Sequence, residues 1–450
     1  MARQGLRTDK NEGIQVNVSP TTADRFARLK ALQRPSTLPL SGHVGGPQDP
    51  VEEGLLGSAS GIAFGAERLA QILGASVKKN CHGEHLSLHC WHGDHAPCAP
   101  DPGALRLLAP DAPEDVADAQ QWLFLDTETT GLAGGTGTYP FLVGLAWWEG
   151  GGLEVEQLFM REYSEERSLL AALAERLAER PVLITFNGKS FDWPLLETRY
   201  RMTRTIPPPS LRAHLDFLHP ARNLWRLRLG SVRLSQLERH VLGWDRGTDV
   251  VSELIPRIYL DFVRGGQADP LVSVFHHNQM DLRGLAGLSG RILSLLGDCE
   301  APSQDGLELY GVSRICERRG ELKRARKLYE QSIGSVLPME TDRAARTALA
   351  RLAKRDGDIA RARELWENTL GNSREGYEAY EQLAIYYEHQ AGEPRQALAI
   401  AREALAQLRR ANQAALIAAS AYRTTKARFE HRLVRLERKT GRTLLDTPDA

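Results

Sequence analysis

Cysteine is scarce, with five in 450 residues. The number is odd and too small for a disulfide scaffold of this length, so a reducing, cytoplasmic home is expected. No apolar run approaches the roughly 20 uncharged residues that span a bilayer, and no membrane partner is expected. The opening stretch MARQGLRTDKNEG has no apolar core, so no secretory leader is expected either. Net charge is absent too: 57 basic residues stand against 57 acidic ones, so total charge names no partner. The 42% hydrophobic and 25% charged residues are the balance of a folded globular chain and exclude global disorder. The length suits two or three domains.

The charge that cancels overall is unevenly placed. Residues 1–100 carry +1, residues 101–300 carry −7 and residues 301–450 carry +6. An acidic middle beside a basic tail fits a carboxylate metal site next to a surface that tolerates polyanions, and it equally fits uneven solvated surfaces.

Residues 1–60 are rich in Pro, Gly, Ser and Thr without sustained periodicity and are expected to be disordered, with one short helix around 23–32. Residues 61–120 read as a small ordered extension. It consists of a helix at GAERLAQILGA, a strand over 85–91, and a polar acidic linker over 109–120. From residue 121 the pattern changes to buried strands at 122–125, 139–148, 153–159 and 181–186, with a helix over 165–180 between the last two. Helices are expected thereafter to about residue 296. Strands, a helix and a further strand predict a mixed α/β sheet domain over 121–298.

Residues 304–442 read as helical and repetitive. Gly320-Glu321, Gly357-Asp358 and Gly392-Glu393 are each followed, five residues after the glycine, by Ala325, Ala362 and Ala397, at spacings of 37 and 35. Helix, glycine turn and second helix with a small residue at the crossing is the tetratricopeptide layout, whose period is about 34. Its concave face is expected to bind a partner protein or a polyanion, and a basic helix over 423–442 would cap the array.

Three motifs carry chemistry. In LDTETTGL an apolar strand ends in Asp126 and Glu128, which point to one face because side chains two apart on a strand do so. Two bare carboxylates there repel and call for hard cations such as Mg²⁺ or Mn²⁺. In FNGKSFDWPLL a second apolar strand feeds a turn and a helix, with Asp192 at the helix start. A carboxylate at that position also stabilises the helix by itself. In HHNQMDL, His277 lies one helical turn before Asp281, and His276 one residue further away.

Taken in order, with HLDFLHPARNLW between the second and third motifs, these segments resemble the YprB-like members of the RNase H-like superfamily, a branch of the DEDD 3′–5′ exonuclease fold. The resemblance covers residues 123–285 and extends to tetratricopeptide-like repeats behind the nuclease domain. It implies a metal-dependent nuclease acting on DNA or RNA. It further implies that Asp126, Glu128, Asp192 and Asp281 hold two divalent cations and that a histidine orients or deprotonates the attacking water. The family pattern favours His277, with His276 as the second choice. The alternative is a catalytically weak scaffold that binds nucleic acid or protein through its repeats.

Thr129, Asn187 and Lys189, in the two strand-end turns, are candidate substrate contacts, Lys189 for a phosphate or as a solvated lysine. Asp216 is either a support for the metal site or a plain helix residue. Arg222, Arg226, Arg228 and Arg233 are candidates for a nucleic-acid backbone, though they do not share one helical face. Cys81, His82, His85, His89, Cys90, His92, His95 and Cys98 invite a zinc reading, but their spacing fits no recognised finger and a hairpin strand fits better.

Overall fold

The computed structural model of the chain describes residues 59–445, apart from 94–99, 132–136, 298–302, 304 and 372. The expected disordered segment, with its helix at 23–32, lies outside these residues, as does most of the glycine-rich turn after Gly131. The described part opens with α1 (Ala59–Leu73), a hairpin of β1 (Ser76–Asn80) and β2 (Gly83–His92), and α2 (Pro102–Leu108). Next come β3 (Trp122–Thr129), β4 (Pro140–Glu149), β5 (Gly152–Phe159), α3 (Glu166–Glu179), β6 (Val182–Thr185), α4 (Asp192–Thr203), β7 (Ala213–Asp216), α5 (Leu218–Leu229), α6 (Ile255–Val263) and the long α7 (Asp269–Leu296).

The seven strands form one sheet in the order β1-β2-β5-β4-β3-β6-β7. β6 pairs parallel with β3 and with β7, whereas β4 pairs antiparallel with β3 and β5. Both faces are covered, which is why β3 begins as an uninterrupted apolar run instead of alternating. Trp122 and Phe124 face one core with Leu215, Leu224 and Leu285, while Leu123 and Leu125 face the other with Leu169, Leu173 and Leu196.

Two expectations need correction here. Residues 109–120 are not a plain linker: 3₁₀ turns at Glu114–Ala117 and Ala119–Gln121 bury Val116, whose carbonyl accepts the Trp122 indole N–H at 2.7 Å. The stretch after residue 186 is not all helix. β7 is only four residues long, Ala-His-Leu-Asp, and its one large apolar side chain is too little to register as a strand. Its strand form comes from the β6 ladder, a tertiary effect.

The tail is all α: α8 (Gly306–Arg318), α9 (Leu322–Ile333), α10 (Met339–Arg355), α11 (Ile359–Glu367), α12 (Arg374–His389), α13 (Pro394–Gln413) and α14 (Ala419–Leu445). Consecutive helices pack as hairpins, and Ala325, Ala362 and Ala397 are fully buried in them. The tail is joined to the sheet domain through α8, which lies on α5. Gly311 permits this approach, since a Cβ there would stand 2.7 Å from the Asn223 carbonyl oxygen. Buried Glu308 accepts hydrogen bonds from the Trp225 indole at 2.7 Å, Arg228 at 3.1 Å and Arg291 at 3.1 Å. Arg228 is therefore a structural joint and not a free cation for nucleic acid.

Candidate active site

The cleft lies at the carboxyl end of β3, where the strand's buried half gives way to partly exposed residues. Asp126 and Glu128 project from it, Asp192 opens α4 and Asp281 lies on α7. They are near enough that the charges of Asp281 and Asp192 act on both Asp126 and Glu128. Burial, then the charges of Asp281, Glu128 and Asp192, push Asp126 well above the usual carboxylate range. Burial, then Asp281, Asp192 and Asp249, do the same to Glu128. Burial also raises Asp192, although the Thr127 hydroxyl donates to it at 2.5 Å.

His277 sits among these acids, 8% exposed, with Nε2 3.8 Å from Glu128 and 3.6 Å from Asp281. Its Nδ1 is 2.8 Å from Asp249 Oδ1, a carboxylate in the loop before α6. Burial works to raise the Asp249 carboxyl, but the hydrogen bond from His277 and the neighbouring Arg246 outweigh it and hold it below its ordinary value. His276, next along the helix, is exposed, as expected for side chains about 100° apart on a helix.

Residues that sequence reasoning missed complete the cleft. Asn278 donates to Asp126 Oδ2 at 2.8 Å, and its own oxygen accepts from Gln157 on β5 at 2.8 Å. This seat exists because β4 carries Gly144 opposite Asp126, where a Cβ would come within 2.1 Å of Asn278 Oδ1. Arg246, nearly buried, bridges Glu238, Asp249 and Asp281. Among the described residues no three His, Cys, Asp or Glu side chains are gathered closely enough to hold an ion as they stand, and the Arg246 guanidinium rests on Asp281 where a cation would compete for it.

The turn residues fall into two groups. Thr129 Oγ donates to the Gly131 carbonyl at 2.9 Å. Asn187 adopts φ 75°, a left-handed conformation that asparagine tolerates. Asp216 ends β7 and accepts the backbone N–H groups of Asn187, Lys189 and Leu218 at 2.9, 3.0 and 3.0 Å. It therefore shapes the turn that leads to Asp192, whose carboxyl its charge helps to raise, and it is a strand residue and not a helix residue. Lys189 is exposed. Cys81, His85 and Cys90 lie along the β1–β2 hairpin, where His85 bonds Ser168 and Cys90 meets Gln279, so the described part of the zinc reading is a structural strand. His95 and Cys98 lie outside the described residues.

Comparison with known proteins agrees with this geometry. Residues 123–292 match the RNase H superfamily. The chain is 32% identical over 287 residues to the uncharacterized protein YprB of Bacillus subtilis (strain 168), covering 63% of this chain and 68% of that protein. The family B DNA polymerase of the archaeon Pyrobaculum calidifontis aligns at 13% identity and a TM-score of 0.32, over 55% of this chain and half of the polymerase chain, too distant to carry an argument. An RNase H superfamily domain over residues 123–292 and two-thirds coverage of YprB at this identity establish that the chain belongs to the YprB family.

Proposed function

We propose that the chain is a divalent-metal-dependent nuclease, a 3′–5′ exonuclease of the DEDD type, in which Asp126, Glu128, Asp192 and Asp281 hold two Mg²⁺ or Mn²⁺ ions and His277 handles the proton. The observation that carries this reading is the gathering of four carboxylates from three separate segments, in which burial and the charges of its neighbours raise Asp126 and Glu128 and burial raises Asp192. Such a cluster is costly by itself and becomes favourable with divalent cations of hard-oxygen preference. Bound there, the ions would supply a more acidic water and charge stabilisation at the phosphate.

The chain's own residues do the rest. Asp249 accepts the Nδ1 proton and fixes the tautomer of His277, leaving Nε2 basic and turned to the cleft. Nε2 takes a proton from water as the water oxygen bonds to phosphorus. The bond from phosphorus to the 3′ oxygen of the preceding nucleotide breaks, and that oxygen is protonated from solvent. Asn278 and Gln157 hold Asp126 in one orientation. Lys189, Thr129 and Asn187 are proposed to contact the substrate strand, the lysine through a phosphate.

The helix hairpins of the tail, with buried alanines at their crossings, support a tetratricopeptide-type array open to a protein partner. Free thiols at Cys81, Cys90 and Cys316 support a reducing, cytoplasmic setting. No described helix is long and apolar enough to cross a membrane.

The test is a panel of end-labelled single- and double-stranded DNA and RNA with Mg²⁺ or Mn²⁺, comparing wild type with Asp126→Ala. Cleavage from the 3′ end by wild type alone is the expected result. Equal behaviour of the two proteins would return the chain to the binding-scaffold reading.

A further inference from the structure

Away from the carboxylates, positive charge gathers where the sheet domain meets the tail. A cavity of about 360 Å³ beyond the carboxyl end of β7 is lined by Lys189, His219, Asn223, Arg318 and Arg319. A second groove, on the inner side of α8, α9, α10 and α12, is lined by Tyr310, Arg314, Arg318, Arg351 and Arg374. Arg318 lines both.

Three arginines at this junction, Arg314, Arg318 and Arg319, lack the carboxylate ion pairs seen elsewhere in the molecule. Arg228, Arg246 and Arg326 all rest on carboxylates. Arg318 donates instead to the Arg314 carbonyl at 3.2 Å, and Arg319 to the Leu107 and Leu108 carbonyls at 2.8 and 3.1 Å. Arg314 lies over the Tyr310 ring at 5.6 Å. Among the described residues, none of these three forms an ion pair with a carboxylate. Burial, then Arg314 and Arg319, lower the Arg318 pKa and outweigh the opposing charge of Glu317, the mark of cations placed together.

The acids nearby are engaged. Asp216 accepts three backbone N–H groups, and Glu317 takes the Tyr329 hydroxyl at 2.7 Å and Arg351 at 3.8 Å. Glu375 and Glu378 line the far end of the second groove and bound the basic stretch there.

We infer that this stretch, from Lys189 through Arg318 to Arg314, is a track for the phosphate backbone of one single nucleic-acid strand leading away from the carboxylate cleft. It rests on the nuclease reading of that cleft. Three observations favour a nucleic-acid strand. The track begins three residues before Asp192, in the turn that delivers that acid, so a strand with its end at the carboxylates passes it. The charges recur along a path, as a phosphate backbone requires. The buried Tyr310 ring carries Arg314 at 5.6 Å and so holds that cation in place at the groove, as a fixed phosphate contact needs. The cavity, about 360 Å³, is of nucleotide size.

The test uses the full chain in EDTA, so that binding is read without cleavage. Fluorescence anisotropy of labelled oligothymidylates, one of about 24 nucleotides and one of about six, is compared between wild type and an Arg314→Ala/Arg318→Ala variant whose melting temperature shows that it folds. The longer strand should bind at least about 10-fold more weakly to the variant, and its log–log salt slope should fall by about 1.4, two contacts at ~0.7 each. An Arg314→Lys/Arg318→Lys variant should keep most of the affinity. The six-nucleotide strand should change less than about twofold. Unchanged affinity and slope for the longer strand would overturn the inference. So would competition by polyglutamate of equal charge as effective as the oligonucleotide itself, which would give the surface to an acidic protein. Hydrolysis of the six-nucleotide strand by wild type with Mn²⁺ tests the cleft separately: its absence beside intact length-dependent binding would remove the nuclease reading and leave the track standing.

Discussion

His277 and Asp249, 28 residues apart in sequence, share a hydrogen bond of 2.8 Å that turns the free nitrogen of the imidazole toward Glu128 and Asp281. On the proposed reading, Asp249 acts through the histidine and is a positioning residue. Asp249→Asn should lower kcat by about 10–100-fold with KM within about twofold, because an amide no longer fixes the tautomer. His277→Ala should cost about 10²–10⁴-fold, and His276→Ala less than about twofold. Steady-state kinetics on one end-labelled oligonucleotide measures all three. A loss confined to the His276 variant would reassign the proton to that residue.

The acid cluster has a thermodynamic signature. Asp126, Glu128 and Asp192 all have raised pKa values in the folded chain, so the native state binds more protons than the unfolded chain, whose carboxylates titrate near 4. The contribution of these three groups to stability without divalent ions is therefore largest at and below that pH and is lost as pH rises through the raised values. Asp126→Asn should stabilise the metal-free protein by about 1–2 kcal/mol at pH 7 and flatten the decline. Denaturant melts in EDTA from pH 4 to pH 8 measure it, and the expected difference shrinks when Mn²⁺ is present.

Gly144→Ala should be disproportionately harmful for one methyl group. The new Cβ would fall on the Asn278 amide, forcing it off Asp126 and Gln157. A loss of about 1–3 kcal/mol is expected, together with reduced turnover, read by chemical denaturation and kinetics on the same preparation. An Ala substitution that left both unchanged would show that Asn278 has room to move.

In the tail, Ala362→Leu should cost about 1–3 kcal/mol, since the position is fully buried at a helix crossing. Calorimetry should place the loss in the transition of the helical region, with the metal-dependent stabilisation of the sheet domain retained.

Much of this architecture was legible because β3 opens on an apolar run, β4 is a long one and β6 is a short wholly apolar one, and because Asp126 and Glu128 stand at a strand end, Asp192 at a helix start and Asp281 one helical turn from a histidine. The helical tail was legible from its three glycine turns. β7 was not, because a four-residue parallel strand draws its stability from a neighbour distant in sequence. Nor were Asp249 and Arg246, which lie in a loop without periodicity, in WDRGTDV, and acquire meaning only when α7 brings His277 and Asp281 against them. Gly144 reads as one more residue in a strand until its partner across the fold is known.

Arg246 gives the cleft a built-in occupant. Its guanidinium lies on Glu238, Asp249 and Asp281, so the chain can complete its fold before any divalent ion arrives. If divalent ions bind there as proposed, loading would be an exchange in which one cation on a tether yields to free ones. An affinity for Mn²⁺ would then be a difference between two attractions, and the loading rate would level off at high ion concentration, where departure of the side chain becomes the slow event.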